Sequence, residues 1–441
     1  MFQLDVRLRG NRRTPLKNSF RKIPGSICAP LGFKAAAVFC DIKRIGTGKG
    51  SEKGQKRDLA LIVSDVPAAV AGMFTSNQVC AAPVKVSAKN AARNFARGFV
   101  VNSGNANACT GTQGLKDAKL MTEVTAKHLS GPANEFLVCS TGRIGVPMPM
   151  ANVKRGIADA AKRLTRSDVA ARDTAEAIMT SDTRRKEIAV EFKLGGVLVR
   201  IGGICKGAGM IQPQMVPHAT MLGFITTDAA VEPDYLKQAL KRAVGQSFNR
   251  ITVDGDMSTN DTVLILANGM AGNKSIDREL FQAALDFVTL ELAKMIVRDG
   301  EGVTRFVTLN VRGARRAGDA EAVARSVANS TLVKTSWFGG DPNWGRILCA
   351  IGYSKAKVDE SKIDVGYSEP GKNKIVYAVR RGQPTRVGLQ TLGAIVGEPE
   401  FDLHIFLNAG RHDCVLYTSD LTEEYVEFNK GNLSDPKSLG G

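Results

Sequence analysis

With 441 residues and 43% hydrophobic content, the chain is long enough for two or three domains around a sizeable core. No apolar run approaches the ~18 to 20 residues of a membrane span, so no transmembrane helix and no membrane partner are expected. The formal charge of +17 argues for solubility and attraction of anionic substrates rather than nucleic-acid binding, because aromatics are only 6% and no basic stripe is interleaved with them.

Seven of the first 22 residues are Lys or Arg against one acid, so residues 1–22 are read as a basic N-terminal extension: a transit peptide, a tail or a misassigned start. Lys43 to Arg57 is a second basic cluster. Within it the Gly46 to Gly54 loop contains Gly48-Lys49 without the G-K-[ST] of a P-loop, and is read as a surface hairpin. Asp58 to Val63 and Gly98 to Val101 are predicted strands. Ser167 is a predicted N-cap for a helix running to about Met179, with Ala170, Ala171, Ala175 and Ile178 on its apolar side. Val197 to Ile204 and Met221 to Thr227 read as strands. Pro233 starts a helix carrying Leu236, Leu240 and Val244. A longer helix follows Asp277, with Leu280, Ala284, Leu285, Val288 and Leu292 on one face, and ends before Asp299-Gly300-Glu301-Gly302. The alternation Val307, Leu309, Val311 then reads as a half-buried strand. Short strands alternating with helices predict an α/β protein.

Eight cysteines are scattered without a C-x-x-C pair, four histidines include no H-E-x-x-H, and there is no G-x-S-x-G. A metal site, a disulfide framework and α/β-hydrolase chemistry therefore lack sequence support, and a reducing compartment fits best. The stretch Lys206-Gly207-Ala208-Gly209-Met210-Ile211, running on to His218-Ala219-Thr220-Met221, offers another nucleophile. Glycines permit strained backbone, and the small Ala219 leaves its carbonyl open to the Thr220 hydroxyl. Cleavage between Ala219 and Thr220 gives Thr220 a free α-amine, titrating near ~7.7 to 8, beside its own hydroxyl. Nucleophile and general base are then one residue. An arbitrary Ala-Thr pair more often just opens a buried strand; the remaining blocks decide between the two readings.

Those blocks are Asn102-Ser103-Gly104-Asn105-Ala106-Asn107-Ala108, Ser140-Thr141-Gly142, Val253-Asp254-Gly255-Asp256 with Ser258-Thr259-Asn260-Asp261, and Gly340-Asp341-Pro342-Asn343-Trp344-Gly345-Arg346-Ile347. Together, and in this order, they resemble the glutamate N-acetyltransferases, or ornithine acetyltransferases, of arginine biosynthesis, from about Ile23 almost to the C-terminus. The resemblance implies a self-processing α/β sandwich of the N-terminal-nucleophile type, with residues 23–219 as one chain and 220–441 as the other. Strands of the two halves would share sheets, and a smaller C-terminal α/β lobe would begin near residue 310. It assigns Thr220 as nucleophile, Ala219-Thr220 as the cut, Thr141 and Gly142 as oxyanion hole, and Thr180, Lys206, Thr220, Glu301, Asn429 and Ser434 as substrate-binding residues. Lys206 suits a carboxylate and Glu301 an amine. Asp341, Asn343 and Arg346 are read as structural, through buried hydrogen bonds at the lobe interface.

The sequence departs from the family at Arg143, where an apolar residue is usual, in three extra residues before Ala219, and in Asn429-Lys430-Gly431-Asn432-Leu433-Ser434, where Ser434 replaces a threonine. The implied reaction moves acetyl from N2-acetylornithine to glutamate through acetyl-Thr220. No cofactor or metal is expected; acetyl-CoA is an open co-substrate. The implied partners are small amino acids and the associated cleaved chains, two of each, and the expected location is the cytoplasm, or an organellar matrix if the basic N-terminus is a transit peptide. An amidase or aminopeptidase of the same fold type, passing the acyl group to water, and an uncut binding protein are the alternatives. Product analysis with and without glutamate separates the first, and a single band near the full-length mass of 47.1 kDa would support the second.

Overall fold

The computed structural model describes residues 20–43, 56–214 and 221–430. The basic residues 1–19 and the Gly46 to Gly54 loop lie outside the described residues. Two compact units result. The larger comprises Phe20–Asn249 and Asp256–Glu301 with the chain from Glu427, and the smaller Arg250–Gly255 with Gly302–Val426.

In the larger unit the sheet is built from β1 (Phe20–Lys22), β2 (Phe33–Val38), β3 (Leu59–Phe74), β4 (Phe95–Asn105), β5 (Phe136–Arg143), β6 (Lys186–Leu194), β7 (Val197–Lys206), β8 (Leu222–Thr227) and β9 (Thr262–Ala267). Their order is β1-β6-β7-β8-β9-β3-β4-β5, with β2 added to β3. Phe20–Lys22, the end of the basic segment, thus pairs with β6 antiparallel. The predicted strand Asp58 to Val63 is the first third of the 16-residue β3. The predicted strand ends at Val63, just before the partly exposed Asp65-Val66-Pro67, where the register with β4 shifts between Val63 and Ala68. Proline cannot donate to a ladder, and an interruption is where a sheet tolerates it. Before the shift β3 pairs with β2; after it, Ala69 to Phe74 pairs with β9.

The sheet curls so that residues of strands that do not pair meet. Phe99 of β4 meets Phe224 of β8, with two strands between them in the sheet, ring centroids 5.4 Å apart. Alternation then sorts side chains into two cores. Ala60, Ile62, Phe99, Val101, Leu137 and Cys139 face Ile204, Leu222, Phe224, Leu264 and Leu266 between the two sheet layers. Leu59, Leu61, Val100 and Val138 point outward. They are covered by helices α1 (Ala82–Ala91), α2 (Gly111–Leu129) and α3 (Met150–Lys162). Strands buried on both faces read as continuous apolar runs, which is why the sequence marks them clearly.

Helix α4 (Asp168–Ala177) starts as predicted, with the Ser167 side chain accepting from the Ala170 N–H, and ends two residues before the predicted Met179. Helix α5 (Pro233–Gln246) buries Leu236, Leu240 and Val244. The Asp277 side chain caps α6 (Arg278–Arg298), whose length packs on β6 and β7.

In the smaller unit, β10 (Phe306–Ala314) lies between β15 (His412–Ser419), antiparallel, and β14 (Glu400–Phe406), parallel. The sheet continues through β11 (Asp364–Ser368), β12 (Val376–Arg380) and β13 (Gln383–Pro384). Val307, Leu309 and Val311 are fully buried with α7 (Ala317–Ala328), α8 (Thr331–Phe338), α9 (Trp344–Gly352) and α10 (Leu389–Val396) against them. Asn343 caps α9 by accepting from the Arg346 N–H and donates to Asp341, while the Arg346 guanidinium donates to the Leu332 carbonyl. Asp341 is exposed and the other two are half-buried, so these bonds shape a helix start within the small unit instead of being the buried bonds expected.

Candidate functional site

The turn Ser140-Thr141-Gly142 ends β5 beside β4, with Ser103 opposite Thr141 and Gly104 opposite Gly142. Gly142 has φ +128°, and a Cβ there would lie 2.4 Å from the Gly104 carbonyl carbon, so no other residue fits. Asn260 holds the turn from the side. Its Nδ2 donates to the carbonyls of Ser140 at 2.8 Å and Ala106 at 2.6 Å, while its Oδ1 accepts from the Thr259 hydroxyl. The Ser140 hydroxyl donates to Asn102 Oδ1 at 2.6 Å. A turn fixed by this many buried bonds holds its donors without reorganisation, as an oxyanion site requires.

Lys206 closes β7 and is only 8% exposed. Its Nζ donates to Thr141 Oγ1 at 3.3 Å, joining the predicted carboxylate ligand to the predicted oxyanion turn. Burial lowers the Lys206 pKa; Asp182 opposes that shift and Lys186 adds to it. Beyond Lys206, the Ala208 carbonyl accepts from the Glu301 N–H at 3.0 Å. Gly209 runs so close to the Glu301 carboxyl that an added Cβ would lie 2.5 Å from it. Asn429 Nδ2 donates to Glu301 Oε2 at 2.9 Å. Two contacts between predicted residues, Thr141 with Lys206 and Glu301 with Asn429, therefore converge on the segment Lys206 to Gly209. Thr180 joins them indirectly: its N–H donates to Asp182 Oδ2 at 2.9 Å, and Asp182 Oδ1 accepts from the Gly207 N–H at 2.7 Å.

Ala219, Thr220 and Ser434 lie outside the described residues. The chain resumes at Met221, whose carbonyl accepts from the Thr262 N–H at 2.7 Å. Leu222 pairs with Lys206 on one side and Thr262 on the other.

Four residues of this neighbourhood carry no role in the sequence reading. Asn260 and Asp261 stand in a quoted block whose signal was positional only. Asp261 is 1% exposed, and its Oδ2 has no hydrogen-bond partner in the structure. Burial pushes its pKa well above the carboxylate range, against the pull of the Thr75 and Ser258 bonds and of Lys206. Asp182 and Lys186 had no signal at all. Lys186, 1% exposed, bridges Asp182 Oδ1 at 2.6 Å and Asp299, and Asp299 accepts from the backbone of Thr183 and Arg184. Among the described residues no His, Cys, Asp or Glu cluster is placed to hold a metal ion, and no helix is long and apolar enough to cross a membrane.

Comparison with known proteins gives this geometry a context. The model of the ArgJ family matches residues 35–432. The arginine biosynthesis bifunctional protein ArgJ of Symbiobacterium thermophilum is 44% identical over 92% of this chain and 98% of its own length. Its namesake in Geobacter sulfurreducens is 45% identical over 90% and 98%. The glutamate N-acetyltransferase of Methanocaldococcus jannaschii is 44% identical over 93% and 98%.

Proposed function

The chain belongs to the ArgJ family, and from that premise we infer that it is an acyltransferase of arginine biosynthesis, moving acetyl from N2-acetylornithine to L-glutamate. One observation carries the reading to this chain's own residues. A buried ammonium, Lys206, and a carboxylate, Glu301, flank one glycine-containing segment beside a rigid Thr-Gly turn. An amino-acid substrate presents both signs of charge, and an acyl transfer between two of them needs such a cradle next to an oxyanion site.

In the proposed mechanism the chain cuts itself between Ala219 and Thr220, freeing the Thr220 amine as an N-terminal-nucleophile base. The Thr220 oxygen attacks the acetyl carbon of N2-acetylornithine while its proton passes to that amine. The oxyanion is held by the Thr141 hydroxyl and the Gly142 N–H. Breaking the C–N bond, with the proton delivered to nitrogen, releases ornithine and leaves acetyl as an ester on Thr220. The α-amine of glutamate then attacks the ester; the C–O bond breaks and Thr220 recovers its hydroxyl. Lys206 pairs with the substrate carboxylate and Glu301 with the amine, while Thr180, Asn429 and Ser434 complete the cradle. No metal or cofactor enters this route. The cleaved chains stay associated, two of each per assembly, in the cytoplasm.

The test is product analysis of purified protein given N2-acetylornithine, with and without glutamate, alongside intact-mass measurement. Ornithine and N-acetylglutamate formed in equal amounts, from a protein with Thr220 at a new N-terminus, are expected. Acetate as the main product with glutamate present would overturn the transferase reading in favour of an amidase.

A further inference from the structure

Asp182 belongs to none of the sequence motifs, yet it touches three parts of the site. Its Oδ2 accepts from the N–H of Thr180, and its Oδ1 from the N–H of Gly207 and the ammonium of Lys186. The side chain is fully buried, and the Gly207 bond fixes the residue directly after Lys206. We propose that Asp182 is a positioning residue for acetyl transfer: its two oxygens hold the Thr180 turn and the Lys206 turn in one frame, so that the groups on either side of the bound amino acid keep a fixed separation.

The partners are arranged for that task. A carboxylate accepting two backbone N–H bonds has little freedom, and the Lys186 ammonium balances its charge, avoiding the large penalty of a buried lone anion. Asp299 holds Lys186 from the far side while capping Thr183 and Arg184, so the anchor is itself anchored. Lys206 gains from the same carboxylate. Among the charged groups acting on it Asp182 acts most strongly, ahead of Lys186, Glu301 and Asp261, and favours the ammonium form; Asp299 ranks below all four. Removing the Asp182 charge lowers the pH at which Lys206 becomes neutral, and Lys186, freed of one anion, pushes the same way.

This inference rests on the acetyl-transfer reading, and the experiment separates the two. The full-length protein, its Asp182→Asn variant and its Asp299→Asn variant are assayed for transfer from N2-acetylornithine to glutamate, with KM and kcat measured from neutral to alkaline pH. Both substitutions break one arm of the Lys186 bridge and should lower Tm; only Asp182→Asn touches Thr180 and Gly207. For Asp182→Asn, KM for both amino acids should rise roughly 10- to 100-fold on the alkaline side, the range for losing a charge-assisted bond to a carboxylate. The alkaline limb should move to lower pH. For Asp299→Asn that limb should move much less. An unmoved limb in Asp182→Asn, or an equal movement in both variants, overturns the proposal. A wild type that transfers no acetyl overturns the acetyl-transfer reading and the inference with it. Should Asp182→Asn fail to fold, Asp182→Asn combined with Lys186→Gln replaces the ion pair by two amides. A smaller shift in the same direction is then expected, since Asp182 acts on Lys206 more strongly than Lys186 does.

Discussion

Replacing Thr141 by Val removes one oxygen from the site and little else. Thr141 is 9% exposed on β5, and its neighbours Cys139 and Ser140 are buried, so the β-branched valine keeps the strand's packing. The lost hydroxyl has two partners to answer for. In the transition state it is one of the two proposed oxyanion donors, and deleting one donor of this kind reduces kcat by about 10² to 10³, or about 2.7 to 4 kcal/mol. In the ground state it accepts from Lys206 Nζ at 3.3 Å, a long bond, so its loss should cost at most about 1 kcal/mol of stability. The expected result is therefore asymmetric: a fall of two to three orders of magnitude in kcat with KM within about threefold of wild type. Thr141→Ser, which restores the oxygen, should recover most of the rate. Single-turnover acetylation followed by mass spectrometry isolates the step. An unchanged acetylation rate in Thr141→Val, with the protein folded, refutes the assignment of this turn as the oxyanion site.

Gly142→Ala should lose about 2 to 6 kcal/mol through strained φ and overlap with Gly104, read as a fall in Tm; a wild-type Tm would mean the turn is not as tight as described. Thr220→Ala is expected to abolish self-cleavage and acetyl transfer together, so intact mass should show only the uncut chain; transfer near the wild-type rate would remove Thr220 from the mechanism. Lys186→Met leaves Asp182 and Asp299 without their shared cation and should cost about 3 to 5 kcal/mol near neutral pH by chemical denaturation. Its pH dependence has a definite sign. Burial raises the Asp182 pKa, but Lys186 and Lys206 more than reverse this, holding the folded value below the unfolded one. Wild-type Asp182 therefore contributes stability above the ordinary carboxylate range and loses it as pH falls. The gap between wild type and Lys186→Met should accordingly narrow in acid, and a constant gap would contradict the ion-pair account.

Much of the larger unit was readable because strands buried on both sides are written as unbroken apolar runs, as in Leu59 to Val63 and Phe99 to Val101. Helix starts were readable where a side chain caps the backbone, as Ser167 and Asp277 do. Helix α2 escaped because its buried side includes Gly114, Asp117, Thr122 and Thr125, which make no apolar stripe. The extent of β3 escaped because Pro67 is a local stop signal that the long-range pairing with β9 overrides. In the site, Thr141, Lys206, Glu301 and Asn429 were assigned by the resemblance, and the structure sets Thr141 against Lys206 and Glu301 against Asn429. The Asp182, Lys186 and Asp299 bridge was invisible, since Asp299 lies 113 residues from Lys186 and nothing local marks any of the three as buried. Lysines 186 and 334, both buried, also count toward a net charge that reads as a surface property.

The position of β8 has a thermodynamic consequence. It begins two residues after Ala219-Thr220 and is zipped between β7, which precedes that bond, and β9, which follows it. A second seam, β3 with β9, also joins sequence from before and after the bond. If the bond is cut, native structure is unchanged in kind but unfolding changes molecularity: one folded body becomes two free chains. Its midpoint in denaturant should then rise with protein concentration more steeply than that of the uncut Thr220→Ala chain. Dilution would act as a denaturant more strongly on the mature protein, and recovery after complete unfolding would depend on two partners finding each other.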